Sequence, residues 1–92
     1  MKQSEKDTGT IAALMLRMQK SRLPRAARML EKVNDGETLS DSDTRFLRRV
    51  YTDNRANQAL IKRNPEYAVL MSGFMDLYTG IIDKGLQNEK AR

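Results

Sequence analysis

The sequence predicts an all-α fold, a small antiparallel bundle of three long helices, or four if the first is broken at Pro24. Apolar residues recur at spacings of three and four along most of the chain, and no segment alternates apolar and polar residues as a strand does. Ninety-two residues suffice for one domain with a modest core. We therefore assign residues 10–88 to a single helical-bundle domain, between a flexible tail at 1–9 and a frayed C-terminus at 89–92.

A proline interrupts the first helical pattern. Apolar residues at helical spacing begin at Ile11 and resume after Pro24. A proline inside a helix removes one backbone hydrogen bond and clashes with the preceding turn, whereas the first turn of a helix tolerates it. We therefore expect one helix to end near Arg22 and a second to start at Pro24, with a single long, kinked helix as the alternative. In the alternative, Arg22 falls on the apolar side and needs a partner.

The next helix has the clearest start signal in the chain. Ser40 is a favourable N-cap residue, and two aspartates in the following turn place negative charge at the positive end of the helix dipole. Gly36 suits a turn with a positive φ just before it. The helix should run from about Asp41 to Arg63. Pro65 then begins the last helix, whose apolar stripe from Tyr67 to Ile82 is the most regular of all.

Composition excludes several classes of chemistry. Cysteine and histidine are both absent, which removes thiolate metal sites, the commonest metal ligand and every Ser-His or Cys-His pair. We predict no catalytic residue, no metal site and no cofactor, so the protein is not expected to be an enzyme. The longest apolar run, residues 11–16, is far shorter than the roughly 20 residues that span a bilayer. We expect a cytoplasmic protein and no membrane partner.

The formal charge of +5 is concentrated in residues 17–32, which hold six basic residues and one acid. If the helix continues through the proline, five of these basic residues share a face: Arg17, Lys20, Arg25, Arg28 and Lys32. The next helix adds a second basic group: Arg45, Arg48 and Arg49. Arginine and lysine bind phosphates and carboxylates, so this face predicts an anionic partner. Charge opposite an apolar stripe is more often simply solvated, and that is the alternative.

Two smaller patterns also suggest a site. In the core-facing row of the second long helix, Asn54, Asn57 and Gln58 interrupt the apolar residues. Buried amides must be paired, so they indicate either a small polar cleft or a helix that turns outward here. On the last helix, the small residues Gly73 and Gly80 lie on one face with Val69. They indicate close approach of another backbone, from the first helix or from a second subunit, or else an exposed face that tolerates glycine.

The function predicted from these patterns is a non-enzymatic protein-interaction module, an adaptor or regulatory protein that docks to a partner protein through its basic face, either alone or as a homo-oligomer. The alternative is a nucleic-acid-binding protein that contacts the phosphate backbone through the same arginines and lysines. Against the alternative, the basic stretch lacks interleaved aromatic residues, and the helices match a helix-turn-helix poorly.

Overall fold

The computed structural model of the chain describes residues 3–91, with side chains from residue 5 onward. These residues form five α-helices and one π turn, and none of them lies in a β-strand. In chain order the elements are α1 (Gln3–Arg17), the π turn (Met18–Arg22), α2 (Leu23–Asn34), α3 (Asp41–Ala56), α4 (Gln58–Arg63) and α5 (Pro65–Ala91). The all-α helical bundle is therefore confirmed.

Three helical rods pack side by side. The first consists of α1, the π turn and α2; the second of α3 and α4; the third is α5. Met18 clusters with Tyr67 and Met71 at one end of the bundle, and Val33 accepts a hydrogen bond from Asn88 at the other. The first and third rods are thus parallel, and the middle rod runs against both. The bundle measures 55 × 21 × 19 Å.

The predicted break at Pro24 is wrong, because the chain stays helical through the proline. Arg17, Arg22 and Leu23 all have right-handed helical backbone angles, and the Leu23 N–H donates to the Met18 carbonyl, five residues back. In a regular α-helix, Pro24 would leave the Lys20 carbonyl without a donor and press its ring against it. The π turn immediately before it widens the helix and accommodates the proline.

The second rod contains an interruption that the sequence did not predict. The expected single helix from Asp41 to Arg63 divides at Asn57, whose φ of −100° and ψ of 14° depart from helical values. The Asn57 side chain donates to the Asp53 carbonyl at 2.9 Å, while its backbone N–H bonds to the carbonyls of Asp53 and Asn54. Asparagine favours such local side-chain bonds over a regular helix, which explains the interruption.

The turn between the first two rods forms as predicted. Gly36 has a φ of +89°, the left-handed conformation that glycine adopts without strain. Ser40 caps α3 in a reciprocal capping box: its side chain accepts from the Asp43 N–H, and the Asp43 carboxylate accepts from the Ser40 N–H.

The described residues of the predicted tail and of the predicted frayed end are helical. Residues 3–9 belong to α1, and Asp7 is buried there, with 4% of its surface exposed. At the other end, α5 continues to Ala91, and the buried Asn88 donates to the carbonyls of Val33 and Glu37, each at 2.8 Å. These bonds hold the end of α5 against the turn that follows α2. Residues 1, 2 and 92 lie outside the described residues.

The core consists of two apolar clusters. One packs α2, α3 and α5 around Met29, Val33, Tyr78 and Ile81, which are almost fully buried. The other joins the π turn, α4 and the first turns of α5. A polar layer that includes Arg22 borders both clusters.

Candidate functional site

The carboxylate of Asp43 on α3 binds two cations of α2. It accepts from Lys32 Nζ at 2.9 Å and from the Arg25 guanidinium at 3.3 Å. The same guanidinium donates to Ser42 Oγ at 2.9 Å and lies 4.9 Å from the centroid of the Phe46 ring. Arg25 and Lys32 therefore already have intramolecular partners, and both stabilise the packing of α2 against α3.

The pKa of Asp43 is about 2, below its ordinary value of 3.8. Burial acts to raise this pKa, but hydrogen bonds from Ser40 and Lys32, together with the positive charge of Lys32, outweigh the effect of burial. Asp43 is consequently ionised at neutral pH, as its two cationic partners require.

A basic groove lies between the first rod and α3. It has a volume of about 510 Å³, and its floor includes Pro24, Phe46 and Val50. Six cationic side chains and no carboxylate line it: Arg17, Lys20, Arg22, Arg25, Arg28 and Arg49. The π turn carries Lys20 and Arg22. Because the helix continues through Pro24, the basic residues before and after the proline lie on one surface.

Four of these six cations have no hydrogen-bond or ion-pair partner in the described part of the chain. Among the described residues, Arg22 pairs with Asp53, and Arg25 with Ser42 and Asp43. The described part of the chain shows no hydrogen bond or ion pair for the other four side chains, all of which are exposed: Arg17, Lys20, Arg28 and Arg49. The groove therefore presents unneutralised positive charge to solvent.

The structure does not bring together all of the basic residues that the sequence singled out. Lys32 lies beside Asp43, outside the groove, and Arg48 lines a different groove, between α3 and α5. Arg45 is exposed away from both. The predicted anionic-partner face does not include Arg22, which lines the groove. Its position on the apolar side of the helix is explained by its ion pair with Asp53.

A small cavity lies between the two core clusters, and its lining is mainly apolar. It has a volume of about 30 Å³, enough for one or two water molecules at most. Two of the three predicted cleft residues, Asn54 and Asn57, line it. Gln58 is exposed instead, and its amide donates to the Asn54 carbonyl at 3.3 Å. This volume excludes a cofactor-sized ligand.

Two buried polar atoms belong to residues that line this cavity. The Asn54 Oδ1 atom and the Tyr78 hydroxyl are buried and have no hydrogen-bond partner among the described protein atoms. Burial raises the pKa of Tyr67 and of Tyr78, and the charge of Arg22 acts in the opposite direction on both. The positive charge of Arg22 therefore acts on these two buried tyrosines as well as in the basic groove.

A second polar cluster, which the sequence does not indicate, lies at the end of the bundle where α1 begins and α4 ends. Arg63 donates to both Asp7 oxygens, at 2.9 and 3.0 Å, and Asn64 Nδ2 donates to Asp7 at 2.9 Å. The bond to Asp7 raises the pKa of Arg63. These bonds hold α1 against the end of α4.

The glycine face of α5 is open. A Cβ atom added at Gly73 or Gly80 would meet no other atom within 4 Å, and Val69 is 75% exposed. The first rod therefore does not approach this face, so one source of the predicted close contact is excluded. A second subunit and simple tolerance of glycine are the two interpretations left.

Comparison of the chain with protein-family models, curated proteins and solved structures gives no match. In the described part of the chain, no helix is both long enough and apolar enough to cross a membrane. The basic groove is the strongest candidate functional site because four of its six cations have no hydrogen-bond or ion-pair partner among the described residues.

Proposed function

We propose that the protein is a non-enzymatic interaction module whose basic groove binds an acidic segment of a partner protein. The main support is the charge of the groove: over residues 5–91, six cations and no carboxylate line it, and four of the cations have no hydrogen-bond or ion-pair partner. Unpaired like charges on one surface repel each other, and an anionic partner removes this repulsion. Arginine, which supplies five of the six, binds carboxylates in a forked geometry.

The shape of the site favours a protein segment over a nucleic acid. The groove is a concave surface between two helices, the geometry that accepts a helical or extended peptide. Phe46 is the aromatic residue of its lining, and this ring is buried beneath the Arg25 guanidinium, so it offers no surface on which a base could stack. The six-residue connection from α2 to α3 also exceeds the short turn of a helix-turn-helix.

A cytoplasmic location and the absence of catalysis belong to the same proposal. Both are supported by composition: the chain contains neither cysteine nor histidine.

The test is binding of fluorescently labelled poly-L-glutamate, an acidic polypeptide, at physiological salt. The groove variant carries Arg17→Glu, Arg28→Glu and Arg49→Glu. The matched control carries Arg45→Glu, Arg55→Glu and Lys62→Glu, which changes the net charge equally at exposed positions outside the groove. We expect the groove variant to bind at least about tenfold more weakly, a loss of ~1.4 kcal/mol, and the control to bind within about threefold of the wild type.

Two outcomes contradict the proposal. Equal losses in both variants would mean that total charge, and not the groove, determines binding. A DNA duplex that binds through the groove with a steep salt dependence, while poly-L-glutamate does not bind, would replace the protein partner by the nucleic-acid alternative.

A further inference from the structure

A second groove lies between α3 and α5, on a different side of α3 from the basic groove. It has a volume of about 390 Å³. Its lining is mainly apolar: Leu39, Leu47, Tyr51, Ile82, Gly85 and Leu86. Concave and mainly apolar surface of this kind is typical of binding sites.

Two large side chains of this lining are exposed to solvent. Leu86 is 50% exposed and Tyr51 is 37% exposed. A surface that carries a projecting leucine next to an apolar groove is complementary to a second copy of itself. In a two-fold arrangement, Leu86 of each protomer enters the groove of the other, so that one patch forms both sides of the interface.

The charges at the groove have the same self-complementary character. Arg48 and Glu89 also line it, and neither side chain has an ion pair or a hydrogen bond among the described residues. One cation and one anion match a second copy that is turned by 180°, because the Arg48 of each protomer then faces the Glu89 of the other. A purely acidic or purely basic partner leaves one of the two unpaired.

The exposed area of the chain is large for a monomer of its mass. The chain exposes 6326 Å², whereas a compact monomer of 10.6 kDa exposes about 5500 Å². The radius of gyration, 15.0 Å, likewise exceeds the roughly 12 Å of a compact domain of this length. Both excesses follow from the elongated shape of the bundle, 55 × 21 × 19 Å, which exposes more of each helix than a compact domain does.

We propose that two copies of the chain pair about a two-fold axis through the α3–α5 groove, with Leu86 as the apolar anchor and reciprocal Arg48–Glu89 ion pairs at the rim. The basic groove, with a different lining, is left open on each protomer. The dimer does not depend on the function proposed for the basic groove, and it would present two such grooves to a partner.

The first experiment is sedimentation velocity of the full chain from micromolar to millimolar concentration. We expect a concentration-dependent dimer, and at least about a tenfold weaker dimer for Leu86→Asp. Leu16→Asp is the matched control, because Leu16 is equally exposed, at 52%, but lies on α1. A wild type that stays monomeric over the whole range overturns the proposal, whatever other molecule occupies the groove.

A charge exchange then tests the two-fold geometry. Arg48→Glu and Glu89→Arg should each weaken the homodimer, because each places like charges face to face. An equimolar mixture of the two variants should restore dimers, since the two-fold axis then pairs glutamates of one chain with arginines of the other. Self-association that persists in either single variant, or a mixture that stays monomeric, rules out this interface. Circular dichroism of each variant verifies the helical fold.

Discussion

Arg22 on the π turn forms an ion pair with Asp53 on α3, and the pair connects the irregular parts of two neighbouring rods. Asn57, where the second rod divides, donates to the backbone carbonyl of the same Asp53. The Arg22 side chain is only 16% exposed, whereas that of Asp53 is 39% exposed. The π turn and the interruption of the second rod at Asn57 therefore meet at one ion pair, beside the small cavity.

This asymmetry in exposure predicts the cost of breaking the pair. Asp53→Ala leaves a mostly buried guanidinium without its counter-ion, so we expect the free energy of unfolding to fall by about 1–3 kcal/mol in urea denaturation. Asp76→Ala is the control, because Asp76 is exposed and belongs to no ion pair in the described residues; it should change stability by less than about 0.5 kcal/mol. Equal effects in both variants would show that the contact contributes nothing.

The low pKa of Asp43 predicts a loss of stability in acid. The folded pKa of about 2 lies below the ordinary value of 3.8, so the stabilisation is complete above pH 4 and is lost as the pH falls towards 2. Urea midpoints at pH 5 and pH 2.5 should therefore differ more for the wild type than for Asp43→Asn, which cannot ionise. An NMR titration of the carboxyl group gives the pKa directly, and a midpoint near 4 would contradict the arrangement with Lys32 and Ser40.

The features that the sequence predicted correctly depend on residues close together in the chain. The N-cap at Ser40 and the left-handed Gly36 follow from local rules, and both are present. The course of the chain at Pro24 and Asn57 depends on what packs against them. A regular helix and a π turn can carry the same apolar stripe, so spacing alone cannot distinguish them.

The candidate site was predictable as a charge pattern but not as a geometry. The predicted basic residues include five of the six cations that line the groove, while the separation of partnered from unpartnered cations required the fold. Arg25 and Lys32 look equivalent to Arg28 in the sequence, yet the first two face Asp43 and the third faces solvent. Asp7 and Arg63, 56 positions apart, could have been matched only by knowing which helix ends meet.

The cluster around Asp7 predicts how α1 is held. Asp7→Ala removes the acceptor for Arg63 and Asn64, and we expect a loss of about 1–3 kcal/mol in the free energy of unfolding. Hydrogen exchange should show the larger effect locally, with faster exchange in residues 5–14 than in α5. Glu5→Ala, an exposed acid two residues earlier, serves as the control and should leave both measurements unchanged. Uniformly faster exchange along the chain would mean that Asp7 stabilises the whole fold rather than α1.

The glycines of α5 predict opposite responses to the same substitution. A Cβ at Gly80 meets nothing within 4 Å, so Gly80→Ala should stabilise the protein by roughly 0.5–1 kcal/mol through the better helix propensity of alanine. At Gly85 the Cβ would lie 2.9 Å from Leu39 Cγ and 3.1 Å from Leu39 Cδ1, so this side chain must move. That strain should cancel the gain or exceed it by about 1 kcal/mol.

The measurement is the thermal midpoint of both variants, at a concentration low enough for sedimentation to show monomers. A higher midpoint for Gly80→Ala and an unchanged or lower one for Gly85→Ala is the expected pair of results. If both variants gain equally, Leu39 does not pack against Gly85, and the end of α5 is not fixed against the turn before α3. If Gly80→Ala instead lowers the midpoint, the face that it shares with Gly73 is covered in solution, and the open surface described for α5 is wrong.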